Sequence, residues 1–126
     1  MSEPREPKKL IKPENWEEFL KEFSGRNKNR RARFDVFRSS GKTEEEAQEL
    51  RLEEVVLRRN GERENVEITR VDHTETEVER SKETVTNVRG IAVQYDVDGS
   101  EDALEITDDQ NTLIMLRMES KVDGAS

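Results

Sequence analysis

The sequence predicts an α+β domain: an antiparallel sheet of about five to seven strands with one N-terminal amphipathic helix packed on it. Three observations predict it. One early stretch carries apolar residues at helical spacing, most of the rest alternates with a period of two, and turn residues recur between the alternating runs. A chain of 126 residues fits one such domain.

Residues 1–12 are polar, with prolines at 4 and 7, and read as a flexible arm before a single domain over 13–119. "PENWEEFLKEFSG" follows. Trp16, Phe19, Leu20 and Phe23 fall at i, i+3, i+4 and i+7, one stripe of a helix. Pro13 suits its first turn, Glu14, Glu17 and Glu18 suit its positive end, and Gly25 offers a stop. "RARFDVF" then switches to strand alternation, with Ala32, Phe34 and Val36 on one face and Arg31, Arg33 and Asp35 on the other.

"SSGKTEEEAQE" reads as a loop able to hold a short helix, since Thr43 and Glu46 have capping-box spacing. The apolar residues of "LRLEEVVLRRNGERENVEITRV" scatter around a helical wheel. A hairpin fits better, turning at Asn60-Gly61, the pair that favours a type I′ turn. "TETEVERSKETVTNV" is polar enough for an exposed strand or a loop, and residues 39–88 as a whole carry the weakest pattern. "GIAVQYDV", "DALEIT" and "NTLIMLRME" are three further strands, and residues 120–126 form a loose tail.

Composition narrows the function. Apolar residues make up 30% and charged residues 41%, against about 45–50% and about 25% in ordinary domains, so the core is thin. Its large anchors are Trp16, Phe19, Phe23, Phe34, Phe37 and Tyr95. With no cysteine, disulfides, thiolate catalysis and cysteine-based metal sites are excluded. The longest apolar run, Leu113 to Leu116, is far short of a membrane span, and the first residues lack the apolar region of a secretory signal. The expectation is a soluble, cytoplasmic protein with no cofactor and no membrane partner. Net charge is −8, unevenly spread: residues 1–38 carry 11 Lys and Arg against 7 Asp and Glu, and the remainder is strongly acidic.

Four stretches invite a chemical reading. "YDVDGSEDALEI" has five carboxylates in twelve positions, yet counting from Asp96 puts Gly99 at position 4 and Thr107 at position 12, which breaks the calcium-loop spacing. Val97-Asp98-Gly99-Ser100 reads as a turn instead. Gly41-Lys42-Thr43 resembles the end of a phosphate-binding loop, but Val36 stands where that motif requires glycine. "GRNKNRRAR" supplies Arg26, Lys28, Arg30, Arg31 and Arg33 as candidate contacts for an anion or a nucleic-acid backbone, although Phe34 faces away from Arg31 and Arg33 and cannot stack on bases there. His73, the single histidine, has no nucleophile or metal-ligand motif beside it.

"KPENWEEFLKEFSGRNKNRRARFDVF" and "RGIAVQYDVDGSEDALEIT", followed by "TLIMLR", together resemble a family of small bacterial proteins known only as a domain of unknown function. The matching positions are Trp16, Phe19, Phe23, Gly90, Ile91, Tyr95, Asp96, Asp102, Leu104 and Glu105. The resemblance implies a compact bacterial domain in which the acidic turn belongs to a structural hairpin, and it implies no catalytic residue. The favoured reading is a non-enzymatic binding domain acting on a protein partner or on itself. Its motive is "NTLIMLRM", apolar on both faces, which is either central in the sheet or covered by a partner. The alternative is anion or nucleic-acid binding through residues 26–33.

Overall fold

A computed structural model describes residues 8–46, 50–74 and 76–119. Strand β1 (Lys8–Ile11) leads through a 3₁₀ turn (Pro13–Asn15) into helix α1 (Trp16–Asn27). Then follow β2 (Arg31–Phe37), β3 (Thr43–Glu45), β4 (Leu50–Asn60), β5 (Arg63–His73) and β6 (Val78–Val85). The last three strands are β7 (Val88–Tyr95), β8 (Glu101–Asp108) and β9 (Leu113–Met118). They form one antiparallel sheet in the order β1-β7-β8-β9-β2-β4-β5-β6, with β3 also beside β2.

The α+β class is right, but the sheet is larger than the sequence suggests, with nine strands among the described residues. Two of the additions come from local patterns too short or too polar to read. Residues 8–11 belong to the expected arm yet pair with Ile91–Gln94 of β7, while residues 1–7 lie outside the description. Thr43–Glu45, expected within a loop able to hold a short helix, instead pair with Asp35–Phe37. The polar stretch 78–85 is an edge strand, where water satisfies one side of the backbone and alternation is unnecessary. The expected tail, 120–126, lies outside the described residues.

The sheet rolls. β6 ends one side of the strand order, yet β7, near the other end, starts at Val88, directly after Thr86 and Asn87. β5 and β7 accordingly come into contact, and Val85 and Val88 are buried. Inside the roll, Ile68, Val93, Leu104, Ile106 and Leu116 are fully buried, and α1 adds Trp16, Leu20 and Phe23 to the same cluster. β9 is central between β8 and β2, which accounts for its apolar residues on both faces.

Helix α1 runs through Gly25, so the expected stop is not used. The chain reverses at Asn29, with φ 73°, a left-handed conformation that asparagine tolerates better than other side chains. The helix has a second task. β2 pairs with β4 only at Arg31/Arg51 and Ala32/Leu50 before β3 takes its place, and a bulge follows at Leu52/Glu54. The Ser24 hydroxyl of α1 accepts a 2.7 Å hydrogen bond from Val55 N–H, and its oxygen lies 2.8 Å from both the Val55 and Leu20 carbonyl oxygens, to which its proton is donated. Ser24→Ala orphans that strand edge, and chemical denaturation should record a loss of about 1–3 kcal/mol.

Three hairpins share one loop design. Arg38–Lys42, Asp96–Ser100 and Asp108–Thr112 each close with a first-to-fifth backbone pair, N–H to C=O at 2.9, 2.8 and 3.1 Å. The fourth residue of each, Gly41, Gly99 and Asn111, has φ of 91°, 87° and 61°. This is a type I turn followed by a left-handed residue, the usual three-residue hairpin loop. The β4–β5 hairpin forms as expected, but its turn is displaced by one residue. Asn60 pairs with Arg63, so Gly61 and Glu62 are central, and Gly61 alone has positive φ, 66°. That is the requirement of a type II′ turn rather than I′.

Candidate anion-binding face

Side chains of directly paired residues leave a sheet on the same side. The register pairs Arg31 of β2 with Arg51 of β4, and Arg33 of β2 with Arg117 of β9. With Arg31 and Arg33 two residues apart, all four guanidinium groups stand on the outer face, opposite Ala32 and Phe34, which are buried inside. Neighbouring backbone positions there are about 5 Å apart across strands and about 7 Å along them. Like charges directly opposite one another destabilise a sheet, and here two such pairs adjoin.

The counter-charges only partly compensate. Asp35, 2% exposed, lies between the arginines and accepts a close hydrogen bond from Arg117 Nε. Its Oδ1 has no hydrogen-bond partner among the described residues and stands 4.0 Å from Arg33 Nε. Arg31 is 4.0 Å from Glu119, and Arg51 donates to the Asn29 carbonyl at 2.9 Å. The side chains of Arg31, Arg33 and Arg117 stay 53%, 43% and 38% exposed. Farther along the same face, Phe37 of β2 pairs with Leu113 of β9 and Thr43 of β3, and remains partly exposed.

The structure therefore divides the five cations singled out in the sequence. Arg31 and Arg33 stand together on the face. Arg26 does not join them: its Nε and Nη2 donate to the two Glu101 carboxylate oxygens at 2.9 and 2.7 Å, and its guanidinium lies 5.7 Å from the Phe19 ring centre. The Glu101 hydrogen bonds raise Arg26 above its ordinary pKa against the effect of burial. Arg30 donates to Asn27 Oδ1, to the Glu101 carbonyl and to the Glu119 carbonyl, tying the helix exit to β8 and β9. Lys28 is exposed at the helix C-terminal cap, where a cation suits the dipole. Arg51 and Arg117 were missed. Alternation shows which face each prefers within its strand, but only the register places them opposite Arg31 and Arg33.

The other stretches resolve into turns and strand ends. Asp98 Oδ1 accepts from Ser100 N–H and Oγ–H at 2.9 and 2.6 Å, so the acidic loop is organised around its own backbone. Its turn starts one residue earlier than expected, at Asp96. Gly41-Lys42-Thr43 spans the end of a hairpin loop and the start of β3, so a strand and not a helix follows the loop directly. His73 ends β5 opposite Val78 and is exposed.

A cleft of about 470 Å³ opens between β3 and β6, lined among others by Phe34, Glu45, Glu46, Glu83, Val85 and Ile114. Behind Phe34 lies Arg70, the largest fully buried side chain. Its guanidinium sits 4.2 Å from the Phe34 ring centre and donates to both Glu46 oxygens, at 2.6 and 2.9 Å. Among the described residues no three acidic or histidine side chains are grouped to hold a metal ion, and no helix is long and apolar enough to cross a membrane. Comparison with protein families, curated proteins and solved structures finds no match to this chain.

Proposed function

We propose that the protein is a non-enzymatic binding domain whose working surface is the outer sheet face bearing Arg31, Arg33, Arg51 and Arg117, and that its ligand is a chain of anionic groups. The observation that carries the reading is the pair of directly opposed arginine couples. A sheet built for stability alone gains nothing from them. A row of phosphates between the guanidinium forks turns that repulsion into paired charge-assisted hydrogen bonds. The face is open and has no enclosing walls, which suits an extended polyanion better than a compact one. Because the whole chain carries −8, binding is expected to be weak and strongly salt-dependent, with dissociation constants of about 10⁻⁴–10⁻⁶ M.

A titration of the isotope-labelled protein with inorganic polyphosphate at low salt tests this. Amide shifts should cluster on β2, on the Arg51 end of β4 and on β9, and Arg31→Glu with Arg33→Glu should remove them. Shifts absent from these strands would reject the face.

A protein partner, the reading the sequence favours, stands second here, and its basis changes. The two-sided apolar pattern of β9 follows from a central position, so it no longer argues for a covering partner. What favours a partner is β1, paired on one side only among the described residues, where Leu10 is 75% exposed. Sedimentation equilibrium should show self-association that Leu10→Ser abolishes, and a constant monomer mass would dismiss association with itself.

A further inference from the structure

We infer that the anionic chain held by this face is a single-stranded nucleic acid, with an unpaired base stacked on Phe37. The inference rests on the anion-binding reading above and adds an aromatic to it. Residues 31, 33, 35 and 37 of β2 share one face of the strand, and the register confirms the side by pairing Phe37 with Leu113 and Thr43, in line with Arg33 opposite Arg117. The ring is therefore on the arginine side, unlike Phe34, which is buried beneath it against Arg70.

Phe37 lies about 13 Å along the strand from Arg33. A base attached to a nucleotide adjoining the bound phosphates covers that distance. Leu113 beside it is also partly exposed and widens the apolar platform. Between the two zones, on the same face, Asp35 is 2% exposed and its carboxylate accepts from Arg117, so its charge is engaged beneath the arginines, while Glu45, paired with it, borders the path at the edge. Arginine forks for the backbone and an aromatic for a base are the two components of sequence-tolerant single-strand binding. A duplex keeps its bases stacked on each other and gains only the arginine contacts. Inorganic polyphosphate has no base at all.

The test is fluorescence anisotropy of labelled oligothymidylate at low salt, on the full chain, with inorganic polyphosphate and a duplex of equal length as competitors. Phe37→Ala should weaken oligothymidylate binding about 5- to 150-fold, the range for one lost stack, and leave the polyphosphate competition constant unchanged. Phe37→Leu, which keeps the apolar bulk, should show the same split and covers the case in which alanine disturbs the sheet. Arg58→Gln, on the distal part of β4, should change neither constant. Equal binding of oligothymidylate by wild type and both Phe37 variants would overturn the base-stacking inference while leaving the anionic face standing. So would a duplex that competes as well as the single strand. Failure of polyphosphate and oligothymidylate alike would overturn the anionic face itself.

Discussion

Glu46→Ala should lower the unfolding free energy by about 3–5 kcal/mol, a large part of the roughly 5–15 kcal/mol available to a domain of this kind. Arg70 is 1% exposed, and its ion pair is with Glu46. Without that carboxylate the guanidinium keeps a 3.0 Å hydrogen bond to the Ala32 carbonyl and the Phe34 ring, in a place water does not reach. Phe34 N–H also loses its 3.0 Å acceptor. The reverse deletion is milder. Arg70→Met leaves a carboxylate whose side chain is 32% exposed, which water can partly solvate. The double variant should therefore be more stable than Glu46→Ala alone, and urea denaturation of the two single variants and the double measures that coupling directly.

The same pair sets part of the acid limit. Burial pushes the Glu46 carboxyl upward, but the hydrogen bonds from Arg70 and Phe34 outweigh it and hold the group below its ordinary value. A carboxyl lowered in the folded state stabilises the fold fully above the ordinary carboxylate range, and that contribution is lost as pH falls through the lowered value. Thermal melts taken downward from neutral pH should show wild type losing stability in this acid window. Glu46→Gln should be less stable at neutral pH and flatter across the window.

Phe23→Ala should cost about 3–5 kcal/mol, because it empties a fully buried ring site between helix and sheet. The ring is fully enclosed, at 0% exposure, and the backbone around it is held on one side by Ser24 to β4 and on the other by Asn27 to the Phe23 carbonyl and Glu101. Such a site cannot collapse to fill the space. Phe19 is the control. It lies 6.0 Å from Phe23, centre to centre, but only partly buried, and its face meets Arg26. Phe19→Ala should lose distinctly less. Equal losses from the two would mean that the helix is not seated by the Trp16, Leu20 and Phe23 stripe.

Much of this architecture was legible in the sequence, for identifiable reasons. The spacing of Trp16, Leu20 and Phe23 located the helix and its buried side, and the alternation of Arg31–Phe37 located β2 to the residue. The glycines at 61 and 99 marked hairpins because each takes a positive φ, whereas Gly41, also at positive φ, was read only as part of a loop. What stayed hidden was tertiary. β1 is four residues long and becomes a strand only beside β7, and β3 is drawn into the sheet by β2 where β4 has left it.

The candidate face followed the same division. Arg31 and Arg33 could be assigned to one face by alternation, whereas the opposition of Arg51 and Arg117 depends on which strands are neighbours. Arg26 and Arg30 looked equivalent to them in sequence because a charge run does not reveal that Glu101, far along the chain, binds both. Phe37 was read as a core anchor, and its outward position emerged only with its partners in β9 and β3.

The most direct measurement of the central claim is the salt dependence of oligothymidylate binding. Four phosphates displaced by Arg31, Arg33, Arg51 and Arg117 predict that the logarithm of the association constant falls against the logarithm of salt with a slope of about −3. Arg51→Gln and Arg117→Gln should each make the slope shallower by about 0.7. A slope that ignores both substitutions, or no binding even at low salt, would contradict the account.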